Sequence, residues 1–239
     1  MEALTPICST VEIASGNIYY CDEYSWRYYV FQDRVEAGVL LAKFLLQVLS
    51  EFFDIVIGLV AGGVPVAYTF SKTLGKPMDI LVVKKITYPW TTEAGFGAVA
   101  PDGLYEFDRN SAILAGLSLE DVERKAREVH NYIITRTLKL RGNLKYDNIE
   151  GKRVVLVDDG IATGYTTIVA VKFLKRVKAK EVIVAVPTSS IDGAITTSRE
   201  ASKLIVLNLR TGPFYAVADA YKEWHDVNDE EVLHYIKHL

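Results

Sequence analysis

The 239 residues are half apolar, enough to build a sizeable core in one large domain or two small ones. Lys and Arg total 27 against 30 acids, so the overall excess of positive charge that marks a general nucleic-acid binder is missing. No apolar run approaches the ~20 residues needed to span a bilayer, and the start "MEALTPICSTVEIASGN" lacks a basic region before an apolar core; a cytoplasmic protein with no nucleic-acid or membrane partner is expected.

In chain order, Cys8 and Cys21 come first. Without a CxxC or a metal-ligand spacing they are expected to be two buried thiols, neither a disulfide framework nor a zinc site. The aromatic, β-prone run "GNIYYCDEYSWRYYVFQD" predicts one or two peripheral strands. Asp33 then stands as N-cap to "RVEAGVLLAKFLLQVLSEF", with Glu36 three residues on for a capping box. "FDIVIGLVAGG" is a short buried strand running into glycines, "VPVAYTFSKTLG" a helix closed by Gly75, and "PMDILVVKK" a further strand.

The segment Ile86 to Asn110 breaks this rhythm. It reads as a long connection with a hairpin around "APDG" and a short β-ribbon inside it. A helix capped by Ser118 follows, with Asp121 at the capping-box position; then come the strand "KRVVLVDDG", the helix "GYTTIVAVKFLKRVKA", and the strands "KEVIVAVPTSS" and "SKLIVLNL" around the helix "IDGAITTSREA". An acidic helix ends the chain. Short apolar strands alternating with helices predict a doubly wound, parallel α/β sheet, taken here as one domain over residues 1–239.

The chemistry concentrates in "VVLVDDGIATGYTT", Val154 to Thr167. In an open parallel sheet, ligands sit beyond the carboxyl ends of the strands, where loops enter helix N-termini. There the backbone N–H groups and the helix dipole favour an anion, Gly164 permits close approach, and Thr163, Thr166 and Thr167 add hydroxyls. Asp158 and Asp159 would repel that anion. They make sense as acceptors for sugar hydroxyls while a phosphate on the same sugar occupies the loop, and magnesium held by diphosphate and ribose oxygens would soften the repulsion.

This stretch resembles the phosphoribosyl diphosphate (PRPP) motif of the type I phosphoribosyltransferases. Further blocks, "FQDRVEAGVLLAKFL", "IGLVAGGVPVA", "VVKKI" with "GFGAV", and "FYAVADAYKEWHDVNDEEVLHYI", are similar in matching order to a little-characterised bacterial and archaeal group of that family. The resemblance implies ribose contacts from Asp158 and Asp159, a 5′-phosphate held by Ala162, Thr163, Gly164, Tyr165 and Thr166, and Gly160 among the PRPP-binding residues. It also implies a diphosphate loop at Val60, Ala61, Gly62 and Gly63, with Lys84 and Lys85 beside it; Asp158, Asp159 and Lys85 are then the candidate catalytic residues. Ala61 stands where relatives carry Arg.

Plainer readings exist. Lys84 and Lys85 can equally be solvated, Gly62 and Gly63 can form an ordinary strand-to-helix turn, and surface roles are expected for Arg136 and Arg141. "GFGAVA" nominally fits a dinucleotide pattern, but no helix begins there, and a Walker A lysine is absent. His130, His225, His234 and His238 form no metal spacing.

The reading is a Mg²⁺-dependent transferase moving phosphoribosyl from PRPP to an unidentified nitrogen acceptor, in nucleotide metabolism or salvage, with Ile86 to Asn110 as a lid and a homodimer implied by resemblance. The alternative is a non-enzymatic PRPP or nucleotide sensor of the same fold. A PRPP-forming kinase is disfavoured for want of an ATP site. Ala162 occupies the position at which 6-oxopurine enzymes of the family usually hold Asp, which predicts that hypoxanthine and guanine are poor acceptors.

Overall fold

Strands alternate their side chains between two faces, and the central runs of this chain are apolar on both. In the computed structural model, which describes residues 7–8, 11–49, 52–91, 94–212 and 215–239, that pattern builds a seven-stranded sheet covered on both sides. The strands are β1 (Val11–Ala14), β2 (Ile18–Cys21), β3 (Ile55–Val60), β4 (Met78–Val82), β8 (Arg153–Val157), β9 (Glu181–Ser190) and β10 (Lys203–Arg210), in the order β1-β2-β10-β9-β8-β3-β4. Every neighbouring pair is parallel except β1 with β2.

Leu156, Val184 and Val206 point into one apolar layer, where Val169, Phe173 and Leu174 of α5 (Tyr165–Arg176) and Ala194 of α6 (Ile191–Ser198) meet them. Val155, Ile183 and Ile205, the intervening residues, point into the other, beneath Leu41 and Leu45 of α1 (Arg34–Val48) and Phe70 of α2 (Gly63–Leu74). The expected doubly wound sheet is present, and the predicted peripheral strands are β1 and β2.

Local chemistry sets the helix ends. The Asp33 side chain accepts from Glu36 N–H, but the Glu36 carboxylate reaches Gln32 N–H, one residue earlier than a capping box requires. At α4 (Leu119–Arg141), which follows the short α3 (Arg109–Leu114), both halves of the box form, Ser118 with Asp121. Gly75 closes α2 in the left-handed conformation at φ 62°.

The segment Ile86 to Asn110 is not the free connection that a lid needs. β5 (Lys84–Thr87), β6 (Gly95–Val99) and β7 (Tyr105–Phe107) form an antiparallel ribbon, and Ile86, Phe96 and Val99 are buried against α4. The predicted hairpin around "APDG" joins β6 to β7, closed by Ala100 N–H to Leu104 at 2.8 Å. Lys172–Glu106 at 2.6 Å and Arg176–Asp102 at 3.1 Å strap α5 to this ribbon. Among the described residues, the lid expectation narrows to the β5–β6 turn. There Trp90, 68% exposed, stacks on Tyr88; residues 92–93 of that turn lie outside the description.

The expectation of two free thiols is also corrected. Cys8 and Cys21 form a disulfide with Cα atoms 5.8 Å apart, because the Gln47 side chain on α1 bonds the Cys8 backbone and holds that segment beside the end of β2. A separation of 13 in sequence carries no signal of this pairing.

Candidate active site

β9 and β10 continue the sheet on one side of β8, and β3 and β4 on the other, so the strand order reverses between β8 and β3. Loops leaving adjacent strands at such a point diverge to opposite faces and leave a crevice. A cleft of about 840 Å³ opens there, lined by both glycine loops, by Lys84 and Lys85, and by a wall from the C-terminal segment.

Val60 to Gly63 leads from β3 into α2, with Gly62 as N-cap and the Val60–Ala61 peptide cis. The need for glycine is steric. A Cβ on Gly62 would stand 2.0 Å from Asp159 Oδ2, and one on Gly63 would stand 2.8 Å from the Asp158 backbone. These residues are therefore more than an ordinary turn: they give the acid pair room to sit against the N-terminus of α2.

Asp158 and Asp159 follow β8. Burial pushes the Asp158 carboxyl well above its ordinary range, with the neighbouring Asp159 charge adding to the effect; burial also raises Asp159, against the pull of Arg34. Lys85 favours the charged form of both acids. Asp158 Oδ1 accepts the Asp159 N–H at 2.9 Å.

Arg34 is the functional candidate that sequence reasoning missed. It is the first residue of α1, where a positive charge opposes the helix dipole, and its side chain is only 6% exposed. Its Nε and Nη2 donate to Asp159 Oδ2 at 3.0 and 2.9 Å, and its Nη1 donates to the His225 carbonyl at 2.9 Å. The guanidinium lies 3.8 Å from the centre of the Trp224 ring. A buried cation at a helix N-terminus is the signal that could have revealed it, since such a charge requires a dedicated partner.

The loop that follows the acid pair is anchored to β9. Ile161 N–H bonds the Thr188 carbonyl at 3.0 Å, Ser190 N–H bonds Ile161 at 2.9 Å, and Ser190 Oγ donates to the Ala162 carbonyl at 2.5 Å. Gly164, at φ 87°, caps α5 in a conformation that a side chain would strain. Ala162 and Thr163 are exposed and Thr166 half-buried; among the described residues the Thr163 and Thr166 hydroxyls have no protein partner. Burial raises the pKa of Tyr165 and the neighbouring Asp108 charge adds to the effect, which sets this loop beside the ribbon.

The lysines divide. Neighbours on a strand face opposite ways: Lys84 Nζ lies 4.5 Å from the Tyr132 ring centre on α4, whereas Lys85 acts on the acid pair. The surface roles expected for Arg136 and Arg141 are corrected. Arg136 is 15% exposed, paired with Asp229 at 2.7 Å while lining the cleft, and Arg141 forks onto Asp79.

A further wall, from Tyr215, Ala216, Val217, Ala218, Trp224 and Asp226, closes the cleft beside the acids. Tyr221 Oη fixes it there by donating to the Asp159 carbonyl at 2.5 Å.

Magnesium takes oxygen ligands, and the acid pair offers them, but Arg34 already engages Asp159 Oδ2. That donor set suits an ion brought in on a ligand's own oxygens better than a protein cage. Among the described residues the cluster with metal-ligand proximity is Cys8, Cys21 and Glu23, whose sulfurs are bonded to each other.

The fold and cleft define a doubly wound α/β protein in which two helix N-termini and an acid pair meet at the switch point. The phosphoribosyl transferase domain model matches residues 35–208, and the chain belongs to that family. It is 34% identical over 209 residues to a Mycobacterium tuberculosis protein named "Putative phosphoribosyl transferase" in strains H37Rv and CDC 1551 / Oshkosh, covering 87% of this chain and 46% of that one. The chain thus spans about half the length of the curated relatives it matches. It is also similar to the crystal structure of TT1426 from Thermus thermophilus, at 30% identity and a TM-score of 0.68, covering 86% of this chain and 97% of that one.

Proposed function

We propose that the chain is a magnesium-dependent phosphoribosyltransferase that moves phosphoribosyl from PRPP to a nitrogen acceptor. The observation that carries this reading is the acid pair set between two helix N-termini in one cleft. The α5 N-terminus with Thr163 and Thr166 suits the 5′-phosphate, Asp158 and Asp159 suit the ribose hydroxyls, and the α2 N-terminus with Lys85 suits the diphosphate.

In the reaction, a nitrogen lone pair forms the new bond to the anomeric carbon as the carbon–oxygen bond to diphosphate breaks. Diphosphate leaves with that electron pair, and the nitrogen's proton passes to solvent. Positive charge builds on the ribose ring, facing the acids, while negative charge builds on the leaving group, facing Lys85 and the α2 amides; such fixed charges act strongly once water is excluded. Magnesium, held by the substrate's diphosphate and ribose oxygens with Asp158 and Asp159 nearby, would neutralise part of the leaving-group charge.

Homodimer assembly and a salvage role rest on the family resemblance, and a cytoplasmic location belongs to the same proposal. With a methyl group at Ala162, hypoxanthine and guanine are expected to be poor acceptors. Ala61 favours a second reading, a PRPP sensor without turnover, because the diphosphate loop carries no charged side chain. Diphosphate release from PRPP and magnesium, screened over bases and small amines, tests both: tight PRPP binding with no release for any acceptor selects the sensor, and no PRPP binding sinks both.

A further inference from the structure

We infer that Cys8, Cys21 and Glu23 form a metal site outside the cleft, which takes a zinc ion once the Cys8–Cys21 disulfide is reduced. The two sulfurs and the Glu23 carboxylate lie within 4.8 Å of one another, and Cys8 and Cys21 are buried, at 1% and 0% exposure. Glu23 Oε2 stands 3.0 Å from Cys8 Sγ and 3.2 Å from Cys21 Sγ. The disulfide gives no reason for that placement, because a bonded sulfur carries no hydrogen to donate and an ionised carboxylate only accepts. One carboxylate oxygen set against two sulfurs is instead the arrangement of three ligands about one ion.

The ligands are positioned by bonds that do not depend on the disulfide. Gln47 on α1 grips both polar groups of the Cys8 backbone, its Oε1 accepting from the N–H at 3.3 Å and its Nε2 donating to the carbonyl. The Cys21 carbonyl accepts from the Ser25 N–H at 3.1 Å and from the Ser25 hydroxyl at 2.7 Å, which closes the turn that carries Glu23. With the Cα atoms 5.8 Å apart, each freed sulfur can turn about its own Cα–Cβ bond while the backbone stays held. Two thiolates and a carboxylate suit tetrahedral zinc, with the fourth position left to water, whereas magnesium takes oxygen ligands. Glu23 is half-buried, so the ion and the reductant reach the sulfurs from its side.

Reduction needs a dithiol. One of its thiolates attacks a cysteine sulfur and its second thiol displaces the mixed disulfide, so that two electrons and two protons pass to the chain and the reductant becomes a disulfide. Zinc then replaces the two thiol protons, which pass to solvent. The two states exclude each other: the S–S bond removes both thiolate ligands, and bound zinc withholds both thiolates from oxidation.

The test uses the whole chain, oxidised and after reduction with dithiothreitol, the dithiol being removed under argon before zinc chloride or cobalt(II) chloride is added. The reduced chain should bind one zinc ion with a dissociation constant below about 1 µM, and its cobalt form should show thiolate-to-cobalt charge-transfer absorption; the oxidised chain should bind neither ion. Glu23→Gln keeps both cysteines, and with them the oxidised fold, and should weaken zinc binding to the reduced chain roughly tenfold or more. Cys21→Ser should weaken it further and lose most of the charge-transfer band. No zinc uptake by the reduced chain overturns the inference. Equal uptake by the oxidised chain, or uptake undiminished in Cys21→Ser, also overturns it, because the ion would then sit elsewhere, as on the neighbouring rings of His234 and His238. Zinc affinity in Glu23→Gln within twofold of the parent overturns it too, since Glu23 would then be no ligand.

Discussion

Two Arg–Asp pairs, Arg34–Asp159 in the cleft and Arg141–Asp79 at the far end of α4, join the same chemical groups for opposite ends. Around Asp79 every acceptor site is used. Arg141 forks onto both oxygens at 2.7–3.0 Å, Asn148 donates at 2.9 Å, the Ile80 N–H donates at 2.8 Å, and Tyr146 stacks on the guanidinium at 4.0 Å. Asp159 is held by Arg34 through Oδ2 alone, and its other side-chain neighbour is the equally buried Asp158 carboxyl. A closed pair is a structural fastener. The half-open pair lines the cleft, and the Arg34 charge that holds Asp159 also favours its ionised form against the burial that disfavours it.

The sharpest way to break the comparison is to remove an acid from the closed side. Asp79→Ala leaves Arg141, 12% exposed, without its counter-charge, and breaking one side of such a pair costs about 3 kcal/mol. Denaturant unfolding should show that loss, with PRPP affinity held within twofold. A loss below about 1 kcal/mol would place this pair among weak surface contacts.

On the open side the ranking reverses. PRPP with magnesium at one hundred times its dissociation constant should stabilise the parent by about 2.7 kcal/mol. Asp158→Asn combined with Asp159→Asn should reduce that gain at the same ligand concentration while the apo fold persists, because charge-assisted bonds to ribose hydroxyls become neutral ones of about half the strength. Thermal melts with and without ligand decide it. An equal PRPP-induced shift in the double variant would remove the ribose role.

The same contrast explains what the sequence showed. β-branched runs, glycine stops and capping residues made the sheet and its helices legible, because those preferences act within a few residues. The placing of the loops Asp158–Thr166 and Val60–Gly63 at helix N-termini was legible because a glycine-bearing turn from an apolar strand into a helix has a local spelling. Arg34 and Trp224 were not: they lie 190 positions apart and meet only through the fold, and neither has a motif of its own. Asp79 and Arg141, 62 positions apart, were invisible for the same reason, as was the Cys8–Cys21 bridge. The ribbon was half legible, since its hairpin turn has a signature and its packing on α4 has none.

Arg34 itself offers a smaller and finer break. Arg34→Gln should weaken PRPP binding about tenfold, since Asp159 then lacks its buried partner and is more readily protonated. Arg34→Lys should recover only part of that, because an ammonium group cannot both fork onto a carboxylate and lie flat on Trp224. Calorimetry on the two variants, each checked for an unchanged far-ultraviolet spectrum, reads the effect. Equal affinities in Lys, Gln and parent would show that Arg34 holds the wall and not the acid.

The smallest effect concerns the apo protein and its sign. Asp158 and Asp159 titrate higher in the folded protein than in the unfolded chain, chiefly through burial, so the folded state holds more protons between the two values. The contribution of these acids to stability is therefore most favourable at the acid end and declines as pH rises through their raised folded values. Facing them are Lys85, Arg34 and Tyr221, and the two cations limit that decline without cancelling it. Asp158→Asn keeps the acceptor that Asp159 N–H uses and removes the buried charge. The ligand-free variant should thus melt above the parent at pH 7.5, by on the order of 2 °C, with the gap closing as pH falls toward the ordinary carboxylate range. Scanning calorimetry of both proteins across that interval tests it. A variant that melts below the parent at neutral pH would mean that Asp158 is already stabilised in the empty cleft, and that PRPP finds no strain there to relieve.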